Sequence, residues 1–273
     1  MTKIYVYTGT GNSYASAQQL AAELGEELGH NLNGESEFPT SDITITHITH
    51  ELGESRPHIE CERCIIIFPV YAYAPPKTVR RFLQSATFNV DYMVVIGTIG
   101  SATGGALAEC VRLLKKRGQK THLTAKIKCV ENFVHMFKLP EEERIPIICQ
   151  KQREITKSIA HDIKEQKTNK RLLCRPDSST ISVVFKTAAP QFAKRYKITS
   201  KCNGCGICYR VCPALAIEMD ETTKRPKFVQ KQCDHCQACM QLCPKKAIHF
   251  GKVTPDGRRY CHPDVSMKEM FKR

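Results

Sequence analysis

The sequence predicts two folded units in one chain: a doubly wound α/β domain on a five-stranded parallel sheet, then a small α+β domain rich in cysteine. Three observations predict this. Short apolar runs alternate with helix-period segments through residues 1–166. Gly-, Thr- or Pro-rich turns follow three of those runs. Eight of the 15 cysteines fall between positions 202 and 243, in two copies of one spacing.

The elements follow in order. Residues 3–7 (KIYVY) read as a strand, and the turn 8–13 (TGTGNS) leads into a helix over 14–29, with Ala15, Ala17, Leu20, Ala21, Leu24 and Leu28 on one stripe. Such a turn sets backbone N–H groups and hydroxyls at a helix N-terminus, where a phosphate binds. It departs from the dinucleotide fingerprint because Tyr14 takes the third glycine position, and it lacks the Gly-Lys-Ser/Thr of a Walker loop. Residues 43–48 alternate as a half-exposed strand, and 64–70 form a continuous apolar run suited to a buried parallel strand. Pro75 and Pro76 then open a helix through Phe82 and Leu83. Residues 93–99 read as another buried strand, 106–116 as a helix stopped by Gly118, 127–136 as a fifth strand and 146–166 as a closing helix. In such sheets ligands sit at the carboxyl ends of the strands, so the loops 8–13, 69–76 and 98–105 form the candidate site.

In the last third, Cys202, Cys205, Cys208 and Cys212 stand as C-x2-C-x2-C-x3-C before Pro213, and Cys233, Cys236, Cys239 and Cys243 repeat that spacing before Pro244. One such run points to a [4Fe–4S] cluster on thiolates. Four-cysteine zinc sites are the alternative, although they do not need this repeat. Two runs in tandem resemble the bacterial two-cluster ferredoxin, in which the fourth cysteine of each run ligates the other cluster. The resemblance implies two [4Fe–4S] clusters, one on Cys202, Cys205, Cys208 and Cys243, the other on Cys233, Cys236, Cys239 and Cys212.

The Thr-x-Thr-Gly-Asn-Ser turn resembles the FMN phosphate loop of flavodoxins. Taken whole, the chain resembles the flavodoxin–ferredoxin fusion family of anaerobic bacteria and archaea. That resemblance implies a flavodoxin-like sheet binding FMN, with Thr8, Gly9, Thr10, Gly11, Asn12 and Ser13 at the phosphate. Pro69, Val70, Tyr71, Ala72 and Tyr73, with Thr98, Ile99, Gly100, Gly104 and Gly105, would flank the flavin ring. Many flavodoxins carry an aromatic residue in the later ring loop; residues 98–105 have none. The expected boundaries are 1–168 for the flavodoxin-like domain, 169–196 for a partly helical connecting segment, and 197–273 for the two-[4Fe–4S] ferredoxin domain with its C-terminal tail.

Charge is uneven. Residues 1–100 hold 6 Lys/Arg against 11 Asp/Glu (net −5), residues 101–273 hold 35 against 16 (net +19), and residues 197–273 hold 15 against 7. A basic ferredoxin unit suggests an acidic redox partner protein, steered electrostatically. No nucleic-acid motif accompanies the scattered basic residues, so nucleic acid is not the expected partner. No apolar run is long enough for a membrane span. Met1 and Thr2 run straight into a strand, so no secretion signal is expected, and the cysteine content fits ligation in a reducing cytoplasm. The sequence leaves oligomeric state open. The leading function is electron transfer between FMN, the clusters and a redox partner. The alternatives are a flavin-dependent oxidoreductase fed by the clusters, and a redox- or oxygen-sensing regulator. No catalytic acid or base stands out.

Other features carry less. Cys61 and Cys64 form a C-x2-C just before a strand, where a redox role is not expected. Cys110, Cys129, Cys149 and Cys174 read as core or surface thiols, and Cys261-His262 as structural. His235, inside the second cysteine loop, is a candidate for pH tuning of its cluster's potential. The tail 257–264 (GRRYCHPD) resembles the family's C-terminal segment and suggests no role.

Overall fold

The computed structural model describes residues 1–25, 42–53, 56–169, 193–251 and 257–272. Five parallel strands, β1 (Thr2–Val6), β2 (Ile43–His47), β3 (His58–Pro69), β4 (Thr87–Ile99) and β5 (Leu123–Lys128), form one sheet in the order β2-β1-β3-β4-β5. The strand pleat explains the two cores. Ile4, Val6, Ile65, Ile67, Val94 and Ile96 face helices α1 (Asn12–Gly25) and α5 (Arg144–Lys164). Tyr5, Tyr7, Ile66, Phe68 and Val95 face the other layer, which holds α3 (Lys77–Ser85) and α4 (Ala106–Lys116), with the short α2 (Ile48–Glu51) beside it. Full burial on both faces accounts for the unbroken Ile/Val runs of β3 and β4.

Three expectations need correction. The strands built on 64–70 and 93–99 start earlier, at His58 and Thr87, because their polar N-terminal halves pair with each other. Cys61 and Cys64 therefore lie within β3. Side-chain phase switches in both strands near Glu62, so Ile59 and Cys61 share a core with Cys64 and Ile66. The fifth strand is Leu123–Lys128, set by pairing with Val94–Ile99, and does not run to 136. Val130 and Val134 leave the sheet because they are taken into the core of the cysteine-rich unit, with Leu139. The end of the first predicted helix beyond Gly25, and most of the connecting segment (170–192), lie outside the described residues.

In the C-terminal part, β6 (Tyr196–Ile198) pairs antiparallel with β9 (Ile248–Phe250), and β7 (Ile217–Met219) with β8 (Pro226–Phe228). Each cysteine run wraps into one short helix, α6 (Ile207–Arg210) or α7 (Ala238–Gln241). Residues 257–272 return across the first unit. The His262 amide donates to the Thr10 carbonyl at 2.8 Å, and the Tyr260 hydroxyl donates to Asn12 Oδ1 at 2.7 Å. Gly11, at φ +99, has no room for a side chain, since a Cβ there would stand 2.8 Å from that of His262.

Candidate functional site

At the carboxyl ends of the strands lies a cavity of about 520 Å³, within the range of cofactor pockets. Of the residues implied for the flavin, Thr8, Gly9, Thr10, Asn12, Ser13, Pro69, Val70, Tyr71, Ala72, Tyr73, Thr98, Ile99 and Gly100 line it together. Gly11 lies against the tail instead, and Gly104 and Gly105 are not part of the wall. Hydrogen bonds set the first loop: the Gly11 amide donates to Thr8 Oγ1 at 3.1 Å, Ser13 Oγ and Thr98 Oγ1 pair at 2.8 Å, and Asn132 Nδ2 donates to Thr10 Oγ1 at 2.5 Å. Asn12 is a tie, its Nδ2 donating to the Val130 carbonyl at 3.1 Å. The second loop is a tight turn. Tyr71 and Ala74 exchange both backbone hydrogen bonds at 3.0 Å, with Ala72 at φ +46 and Tyr73 at φ +63. Two non-glycine residues in this left-handed region mark a strained turn, a feature that clusters at binding sites.

Sequence reasoning missed two walls. One is the loop after β5, where Phe133, Met136 and Phe137 supply the aromatic and apolar surface that 98–105 lack. Its apolar Val130 and Val134 imitate the buried residues of a strand. The other wall is the second cysteine loop itself: His235, Cys236 and Gln237 line the cavity.

That loop is fixed onto the first unit by Asp234, which is 6% exposed. The carboxylate accepts from the Tyr7 hydroxyl at 2.9 Å and from the Lys77 and Thr78 amides at 2.9 and 3.2 Å, capping the N-terminus of α3. Gly9 is trapped beneath, as a Cβ there would meet the Cys236 carbonyl oxygen at 2.8 Å and the Tyr71 hydroxyl at 3.0 Å. Tyr71 lines the cavity and its hydroxyl approaches the Gly9 site beside the Cys236 carbonyl; burial, followed by the negative potential of Cys236, Asp234 and Cys233, pushes its phenol well up.

The eight cysteines lie in and around the short helices α6 and α7. Burial pushes the Cys208 thiol up to about 12, and the cysteines acting on it are Cys205, Cys243 and Cys202. Cys236 and Cys239 are pushed well up by burial; both feel Cys212 and Cys233, and Cys239 also feels Cys208. Backbone amides point at three of the sulfurs: Ala216 to Cys212 at 3.2 Å, His235 to Cys233 at 3.4 Å and Ala247 to Cys243 at 3.3 Å. Buried thiols of this kind ionise only when a metal replaces the proton. The two loops differ in access, since Cys205 is exposed whereas Cys236 is half-buried in the cavity wall.

Residues 201–247 match the family model described as 4Fe-4S dicluster domain. The chain joins a flavodoxin-like fold to a ferredoxin-like iron–sulfur segment. The flavodoxin-like assignment rests on the strand order 2-1-3-4-5. Solved structures that match the first unit include a flavodoxin from Streptococcus pneumonia TIGR4 (16% identity, 60% of this chain and 98% of that one, TM-score 0.36). A Megasphaera elsdenii flavodoxin (14%, 58% and 99%, TM-score 0.31) and the Trp repressor binding protein of Bacillus subtilis (12%, 62% and 99%, TM-score 0.31) match similarly. No curated protein matches the chain. Among the described residues, no helix is long and apolar enough to cross a membrane.

Proposed function

We propose that this chain is an electron-transfer iron–sulfur flavoprotein. It would hold FMN in the cavity bounded by the loops 8–13, 69–73 and 98–102. Cys202, Cys205, Cys208 and Cys243 would hold one [4Fe–4S] cluster, and Cys233, Cys236, Cys239 and Cys212 a second. The observation that carries this reading is the position of Cys236, which belongs to a cluster-type loop and to the wall of the flavin-type cavity at once.

The residues present fit both groups. The cavity has apolar and aromatic lining (Val70, Tyr71, Phe133), a loop at a helix N-terminus, and a buried unpartnered donor at Gln237. Crossed ligand sets are supported by Cys243 acting on Cys208 and Cys212 acting on Cys236, and the backbone N–H groups on Cys212, Cys233 and Cys243 would tune cluster potential. FMN exchanges one or two electrons and each cluster exchanges one, which is the chemistry these groups supply when bound. The chain's own part is arrangement. Asp234 holds the Cys236 loop against the cavity, Tyr71 lines that cavity beside Cys236, and Cys205 leaves the other set open to solvent. This order runs from an enclosed flavin end to an exposed iron–sulfur end, where the basic surface of the last 77 residues would meet an acidic partner protein. The domain boundaries 1–168, 169–196 and 197–273 are retained in this proposal, with one addition: the tail after 257 clasps the first unit.

Anaerobic purification with iron, sulfide and flavin quantified together tests the reading. About eight irons and one FMN per chain are expected. Zinc in place of iron, or no flavin, overturns it.

A further inference from the structure

We infer that Gln237, a residue of the second cysteine loop, is a flavin-binding residue whose side-chain amide donates a hydrogen bond to the polar edge of the isoalloxazine ring. The inference rests on the flavin reading above. It begins with a comparison of the two loops. Gly206 and Gln237 occupy the same place in the repeat, and both adopt the left-handed backbone, at φ +72 and +61. Glycine takes this conformation without penalty, whereas a residue with a side chain is strained in it. Nothing lies within 4 Å of where a Cβ on Gly206 would stand, so space does not explain why the two loops differ.

The side chain of Gln237 is 3% exposed and lines the cavity. Its amide is oriented by its neighbours. Gln241 Nε2 donates to the Asn132 carbonyl at 3.0 Å and sits 3.5 Å from Gln237 Oε1, while Gln241 Oε1 accepts from the Tyr260 amide at 3.0 Å. Gln237 Oε1 is thereby placed toward Gln241, which leaves Nε2 as the free end. That Nε2 is buried and has no hydrogen-bond partner among the described residues. A strained backbone and an orphaned buried donor, both at one position on a cavity wall, are what a hydrogen bond to a bound ligand would resolve. The donor suits an acceptor, and the ring edge offers carbonyl oxygens and ring nitrogens. A hydrogen bond there also favours the electron-rich reduced ring, so Gln237 would raise the flavin potential from the iron–sulfur side.

The test uses anaerobically reconstituted full-length protein, with FMN itself as the probe. FMN affinity is read by fluorescence quenching and the flavin midpoint potential by spectroelectrochemistry. Iron content and thermal stability are followed in parallel. Gln237→Gly and Gln237→Leu are both expected to weaken FMN about three- to tenfold and make the flavin potential more negative, with iron content unchanged. Gln237→Gly is further expected to keep or raise thermal stability, because it removes the strain. Wild-type affinity and potential in both variants overturn the inference and leave the flavin reading standing. A loss confined to Gln237→Gly overturns it too, since packing volume is then what matters, and so does iron loss in step with FMN loss. If the wild-type protein binds no FMN, it is the underlying reading that fails.

Discussion

The two cysteine loops share one spacing and differ in everything between the ligands. In the first loop the intervening residues are Asn203, Gly204, Gly206 and Ile207, with Asn203 and Cys205 exposed. In the second they are Asp234, His235, Gln237 and Ala238, all at least 94% buried. Gly204 and Gly206 adopt positive φ as His235 and Gln237 do, so the backbone path is the same and only the side chains diverge. The cysteines thus fix the chemistry of each loop, and the residues between them fix where it is delivered. One loop faces solvent, and the other is bolted to the end of a parallel sheet.

Substitutions at matched positions can break or sharpen this contrast. The largest effect is expected for Asp234→Ala, which strands the Tyr7 hydroxyl and two amides at the start of α3. It should lower stability by about 2–4 kcal/mol in chemical denaturation, against within about 0.5 kcal/mol for Asn203→Ala. Equal losses would mean that Asp234 anchors nothing. Next is Gly9→Ala, whose Cβ runs into the Cys236 carbonyl. A loss of about 1–3 kcal/mol is expected, together with weaker FMN binding by fluorescence titration, because the two units are pushed apart. Gly206→Ala meets open space, so only its φ of +72 matters, and about 1 kcal/mol should be lost with FMN affinity unchanged.

The tail adds a pH-dependent difference. Met270 and Val265 cover the second loop's side of the molecule, where Lys272 Nζ lies 3.1 Å from His47 Nε2. Burial, then the nearby Lys272 charge, lowers the His47 pKa to about 3. Tyr14, His50, Glu269 and the Val6 backbone also surround it. Between pH 3 and 6.5 the unfolded chain binds a proton that the folded chain refuses. Stability therefore rises with pH across that window, by up to about 1.4 kcal/mol per pH unit, and is lost as pH falls through it. Denaturation midpoints measured from pH 4 to 7 should show a shallower slope in His47→Gln than in wild type. The mildest probe is brief air exposure of the reconstituted protein. Iron should leave the Cys205 side first, giving an intermediate with about half the metal, whereas simultaneous loss would argue that the loops are equally accessible.

Much of this architecture was legible in the chain. The alternation of Ile/Val runs with helical stripes gave the parallel sheet, because burial on both faces leaves a continuous apolar signature in β3 and β4. The repeated cysteine spacing gave the iron–sulfur segment, because ligand geometry tolerates little variation. The walls of the cavity were less readable. Phe133, Met136 and Phe137 hid behind Val130 and Val134, whose apolar pattern serves a core and not a strand. The roles of Asp234 and Gln237 depend on contacts across more than 100 residues of sequence, such as Asp234 with Tyr7 and Gln241 with Asn132, and no local pattern encodes these. The tail was silent for the same reason: Tyr260 and His262 act on Asn12, Thr10 and Gly11 at the other end of the chain.

The central claim is that one loop serves both cofactor sites. Anomalous diffraction at the iron edge, from crystals of anaerobically purified holoprotein, tests it most directly. The account predicts two iron clusters, one on Cys212, Cys233, Cys236 and Cys239, with planar flavin density in the adjoining cavity against Tyr71 and Gln237. Iron absent from Cys236, or flavin density away from that cavity, would contradict it.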